Sequence, residues 1–126
     1  MSPLFRRNEE KAARKAAAGQ EIERLRALPV DDLAADVLPG LGPDGPTRGT
    51  SVRVQQLCEY LLTDYPGAGQ MQTLDLSAPV NRALDRLEGA GLVRPISVQR
   101  SPVWRITPLG ETTLAEGTLR ERLRGH

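Results

Sequence analysis

The stretch SAPVNRALDRLEGAGLVRPISVQRSPVWRITPLG, residues 77–110, decides how the chain is read. Its first part places Val80, Leu84 and Leu87 at helical spacing, which gives one inward stripe. Ser77 stands where it can cap that helix, and Pro79 is tolerated in the first turn. Gly89 and Gly91 end it, Gly91 in the position that favours a left-handed backbone. The period then changes from 3.6 to 2. Ile96 and Val98 alternate with Ser97 and Gln99, and Trp104 and Ile106 flank Arg105. This pattern predicts a hairpin with strands near 93–99 and 103–107, turning through Gln99-Arg100-Ser101-Pro102. Thr107-Pro108 reads as an N-cap followed by proline at the first helical position. The helix it starts runs to about 116, and Leu119 and Leu123 extend the pattern towards 123.

Upstream, residues 51–63 read as a helix capped by Ser51, with Val54, Leu57, Cys58, Leu61 and Leu62 on one buried face. Residues 67–76 show little pattern and read as a loop. Residues 31–38 predict a short helix stopped by Pro39 and Gly40, and 39–50 a Gly/Pro-rich loop. Residues 8–28 predict a helix whose stripe is thin, with Ala12 and Ala16 before Ile22, Leu25 and Leu28. Its first half is expected to fray and its second to dock. The organisation expected is a basic N-terminal helix or arm over 1–28 and one compact domain over 29–126. The fold class is mainly α with a small β-hairpin wing.

The stretch Ala83-Leu84-Asp85-Arg86-Leu87-Glu88-Gly89-Ala90-Gly91-Leu92-Val93 resembles the end of the recognition helix and the first wing strand of winged helix-turn-helix regulators. Trp104-Arg105-Ile106-Thr107-Pro108-Leu109-Gly110 resembles their second wing strand and the following helix start. The pairing is similar to the MarR- and PadR-like groups and covers residues 77–117. It implies a recognition helix over about 77–90, a wing over about 93–107, and binding of double-stranded DNA as a transcriptional regulator. On that resemblance Ser77, Asn81, Arg82 and Arg86 face the major groove, where arginine reads guanine and asparagine adenine. Arg94 and Arg105 flank a wing-tip Arg100 that meets phosphate or the minor groove. The sequence departs from the groups in the ten or so residues between the preceding helix, 51–63, and the recognition helix, which contain Pro66, Gly67 and Gly69.

Charge gives this reading partial support. Residues 1–28 carry seven Lys/Arg against four Asp/Glu, residues 29–75 two against seven, and residues 76–126 eight against five. A duplex binder needs a local cationic face more than a high total, and the overall charge is only +1. Aromatic residues make up 3%, too few for the stacking platforms of single-strand binders. Every cation after Lys15 is arginine, a usage in keeping with a GC-rich bacterial genome.

Each candidate residue also has an ordinary reading. Arg82 and Arg86 can pair with the acids of their own helix, and the wing cations can simply discourage edge pairing. The run Arg6, Arg7, Lys11, Arg14, Lys15 is a phosphate-contacting arm or a solubilising helix end. A winged helix that binds a protein partner instead of DNA is the alternative. Gly40–Gly45 spells G-x-G-x-x-G, but a helix precedes it where a dinucleotide site needs a strand. Cys58 lies on an apolar stripe and His126 is the last residue, so no metal set and no nucleophile–base pair is expected. No enzyme activity, no cofactor and no membrane span are expected, and a cytoplasmic protein is. A homodimer is expected through segments 18–28 and 108–123.

Overall fold

The computed structural model describes residues 3–96 and 102–125, with side chains from residue 7 onward. Helix α1 (Pro3–Ala27) is built from strong helix formers and ends at Pro29 with Arg24 and Arg26 in its last turn, where cations oppose the helix dipole. Its second half docks: Ala18, Ile22 and Leu25 are buried at helical spacing. Residues 7–17, about 16 Å of helix, are each exposed, and within this stretch Arg14 lies against Gly67. Glu21 joins Arg24 on α1 to Tyr65 beyond the next long helix, and the Tyr65 hydroxyl titrates above its usual range because of that carboxylate.

Helix α2 (Val30–Val37) carries Asp31 and Asp32 in its first turn, where anions suit the positive helix end. It buries Leu33, Ala34 and Val37, chiefly against α5 (Ser77–Gly89), which buries Pro79, Val80, Ala83, Leu84 and Leu87. Each of the larger of these side chains contributes roughly 1.5–3 kcal/mol on burial. A 3₁₀ turn, Leu38–Leu41, follows α2 and begins the Gly/Pro-rich loop.

Two elements differ from expectation. Residues 52–53 form a strand, β1 (Val52–Arg53), and only then does α3 (Val54–Leu61) begin, so Ser51 caps nothing. The reason is long-range: Val52 pairs with Trp104, and its side chain is fully buried beneath the sheet. The segment 67–76, expected as a loop, contains α4 (Gln70–Leu74). This helix is started by local bonds, with Gly69 N donating to Gln72 Oε1 at 2.9 Å and Thr73 Oγ1 donating to the Gly69 carbonyl. Because α4 runs through Asp75 and Leu76 directly into α5, the N-cap of α5 is Leu76 and no side chain caps it. Ser77 is therefore the first residue of the helix and not its cap.

The C-terminal half follows the sequence closely. Gly91 has φ 78°, and Gly91 N and Leu92 N donate to the Glu88 and Leu87 carbonyls, which closes α5. Strands β2 (Val93–Ile96) and β3 (Val103–Ile106) pair antiparallel, and the sheet order is β1-β3-β2. Trp104 and Ile106 enter the core from β3. The connection at 97–101, with the expected tip Arg100, lies outside the described residues. Thr107 Oγ1 accepts from Gly110 N and caps α6 (Pro108–Glu116), as expected. Gly117, at φ 69°, breaks the helix before α7 (Leu119–Arg124).

Gly67 sets the seat of α1. A Cβ there would lie 2.5 Å from Arg14 Cβ and 2.7 Å from its carbonyl carbon. Gly67→Ala is expected to cost about 1–3 kcal/mol and to speed hydrogen exchange of the amides over 14–25. Gly89→Ala, where nothing lies within 4 Å, is the control and should leave both unchanged or slightly raise stability. Unaltered exchange in Gly67→Ala would show that α1 is not held by this contact.

Candidate functional site

The exposed face of α5 comprises Ala78, Asn81, Arg82, Asp85, Glu88 and Gly89. It holds one cation and two acids. Asn81 Nδ2 donates to the Ser77 carbonyl at 2.9 Å, so this amide is engaged on its own helix. Ser77 itself is half-buried and its hydroxyl meets the Cys58 thiol. Of the four residues expected on this helix, Asn81 and Arg82 face solvent and Ser77 turns inward.

Arg86 is the clearest correction. It was expected to face outward, one turn beyond Arg82. Instead its side chain is only 24% exposed, and Nε donates to Asp31 Oδ1 of α2 at 2.9 Å. Nη2 also donates to the Leu123 carbonyl, in the last turn of α7. The planar guanidinium thus bridges three helices, and its fork suits one carboxylate and one carbonyl at once. Beside it Arg120 of α7 pairs with Asp32. The two acids that open α2 hold α5 and α7 respectively. The signal in the sequence was that acidic pair, but its partners lie 55 and 88 residues away.

A group of outward cations lies on the sheet. Arg94 and Arg105 are direct cross-strand partners, and Arg53 pairs in register with Val103. Strand alternation therefore puts Arg53, Arg94 and Arg105 on one face with Val103 and Ile96, opposite the buried face of Val52, Trp104, Ile106 and Val93. All three arginines are exposed, and among the described residues none enters an ion pair. Arg53, which the sequence left aside, joins this face only because 52–53 is a strand.

Other features resolve simply. Burial pushes the Cys58 thiol up to about 11, against a smaller opposite effect of the Ser77 hydrogen bond, so the sulfur is protonated and unreactive at neutral pH. No group of three metal-ligating side chains occurs among the described residues, and no described helix is long and apolar enough to cross a membrane. The glycines of Gly40–Gly45 shape a loop: a Cβ on Gly45 would lie 2.1 Å from the Gly40 carbonyl oxygen. Most of the apolar residues in the segments expected to meet a second copy pack within the chain, while Leu109 stays 40% exposed. Ile22, Leu25, Leu119 and Leu123 are all buried in the core. Two large apolar side chains stay outside it on α4: Met71 at 78% and Leu74 at 45% exposure, one turn apart.

Arg86→Ala is expected to lower unfolding free energy by about 1–3 kcal/mol, because it strands the Leu123 carbonyl and Asp31. Arg82→Ala, on the open face, should fall within about 0.5 kcal/mol of the parent. Urea titrations of both check this, and equal small effects would show the bridge to be idle.

Comparison of the chain with protein-family models, with curated proteins and with solved structures finds no match.

Proposed function

We propose that the chain is a winged helix domain that binds double-stranded DNA with its sheet face and hairpin leading. The element order α2-β1-α3-α4-α5-β2-β3 with sheet order β1-β3-β2 supports the fold reading, since a winged helix threads three helices and three strands this way once the short α4 is taken as an addition ahead of α5. The observation that carries the function is the outward arginine cluster Arg53, Arg94 and Arg105. Like charges directly opposite on a sheet destabilise it, so Arg94 facing Arg105 makes sense where an anion arrives between them. Protection against edge pairing accounts for Arg53 and Arg94, which sit on the two edge strands. It does not account for Arg105 on the central strand. Backbone phosphates supply the anions, with bidentate guanidinium contacts.

The helix α5 takes a lesser part in this reading. Arg86 is occupied by Asp31 and Leu123, and Asp85 and Glu88 would face the duplex beside Arg82. A protein-binding role is favoured by one observation. Met71 and Leu74 form an exposed apolar pair that leads into the acidic face of α5, a combination suited to a basic amphipathic segment.

Fluorescence anisotropy with mixed-sequence duplexes at several salt concentrations separates these readings. Duplex binding should weaken as salt rises. Arg94→Ala and Arg105→Ala should each weaken all sequences alike and reduce the salt slope by about one. Arg82→Ala should change affinity less than either. A dominant loss in Arg82→Ala with the sheet variants unchanged would put α5 in the groove instead. No binding at low salt would leave the protein-binding role.

A further inference from the structure

A cavity of about 530 Å³ opens between the loop after α2, the end of β3 and α6. That volume lies within the roughly 300–1,000 Å³ of small-molecule sites. Pro39, Pro43, Ile106 and Leu114 give it apolar walls. Three charged side chains also line it: Asp44 and Arg48 from the loop, and Glu111 from the first turn of α6. Among the described residues none of the three enters an ion pair, although both signs share one small space.

The backbone around the cavity is tightly constrained. Gly45 sits so close to Gly40 that no side chain fits, and a Cβ on Gly42 would lie 2.5 Å from Leu114 Cδ2. The loop wall thus closes on itself at Gly40 and Gly45 and touches the Leu114 side chain of α6 at Gly42. Arg48 has φ 53° and is the sole non-glycine with positive φ among the described residues, followed by Gly49 at φ 85°. Glycine is the default at such a position, so an arginine there points to a use for its guanidinium.

We propose that this cavity binds a zwitterion with an apolar body, of the class of an apolar α-amino acid. The carboxylate lies on Arg48, whose donor fork matches it. The ammonium lies with Asp44 and Glu111, and the apolar side chain lies against Ile106, Leu114 and the two prolines. A simple anion would face two acids for one cation, and a simple amine would leave the guanidinium unmatched. The site is at the Ile106 end of β3, and it stands whether or not the sheet face binds DNA.

Amide chemical-shift titrations test it with four probes: L-phenylalanine and L-leucine as zwitterions, phenethylamine as the amine alone, and 3-phenylpropionate as the acid alone. At least one amino acid should shift amides over 44–49 and 106–115 and bind about tenfold tighter than either singly charged probe, as loss of one charge-assisted contact implies. Arg48→Gly relieves the backbone and should keep the melting temperature, yet erase the preference for the amino acid over phenethylamine. Ala115→Trp, at an exposed position of α6 lining the cavity, should block all four. The proposal is overturned if neither amino acid binds at millimolar concentration, if phenethylamine binds as tightly, or if Arg48→Gly keeps the preference.

Discussion

The packing of α2 on α5 is the constraint from which the rest of the structure follows. Leu33, Ala34 and Val37 meet a stripe of Val80, Ala83, Leu84 and Leu87, all of them buried. With that stripe turned inward, helical spacing leaves two consequences for α5. Its far face, with Asn81, Arg82, Asp85 and Glu88, must point to solvent. Its flank must carry Arg86 past the start of α2, within reach of Asp31. The exit of α5 is set as well: Gly91 reverses the chain so that β2 starts at the core, and β3 then lies between β2 and β1 with Trp104 covering the helices.

That geometry sets two groups of arginines apart. Arg86 and Arg120 are absorbed by the two acids at the start of α2 and serve cohesion between helices. Arg94 and Arg105, with Arg53, enter no ion pair among the described residues and gather on the open side of the sheet. The net charge of +1 therefore conceals a local surface of one sign, which is what a polyanion responds to. The long α1 adds a second cationic element, with Arg7, Lys11, Arg14 and Lys15 all exposed along its first half.

Local chemistry was legible in the sequence, and long-range pairing was not. Gly91 and Thr107 act through their own backbone or the next turn, so the end of α5 and the start of α6 could be read directly. Trp104 and Ile106 announced the buried face of β3 by alternation. The strand at Val52–Arg53 could not be seen, because two residues have no period and their partners lie some fifty residues on. The helix α4 escaped notice for the opposite reason. It buries none of its side chains fully and leaves Met71 and Leu74 outside, so it has no inward stripe to detect. Arg86 sits at the border of the α5 stripe, where spacing alone cannot say whether a side chain reaches water or a neighbouring helix. The left-handed backbone at Arg48 had no signal beyond the Gly49 that follows it.

The most direct measurement is an NMR titration that follows the arginine Nε–Hε signals and the backbone amides while a duplex DNA is added at low salt. The account predicts that Arg94 and Arg105, and the amides of β2 and β3, move first and furthest. It also predicts that the Arg86 Nε–Hε signal, held by Asp31, stays in place. Large shifts along the Asn81–Asp85 face of α5 with the strands unmoved, or release of Arg86 on binding, would contradict it.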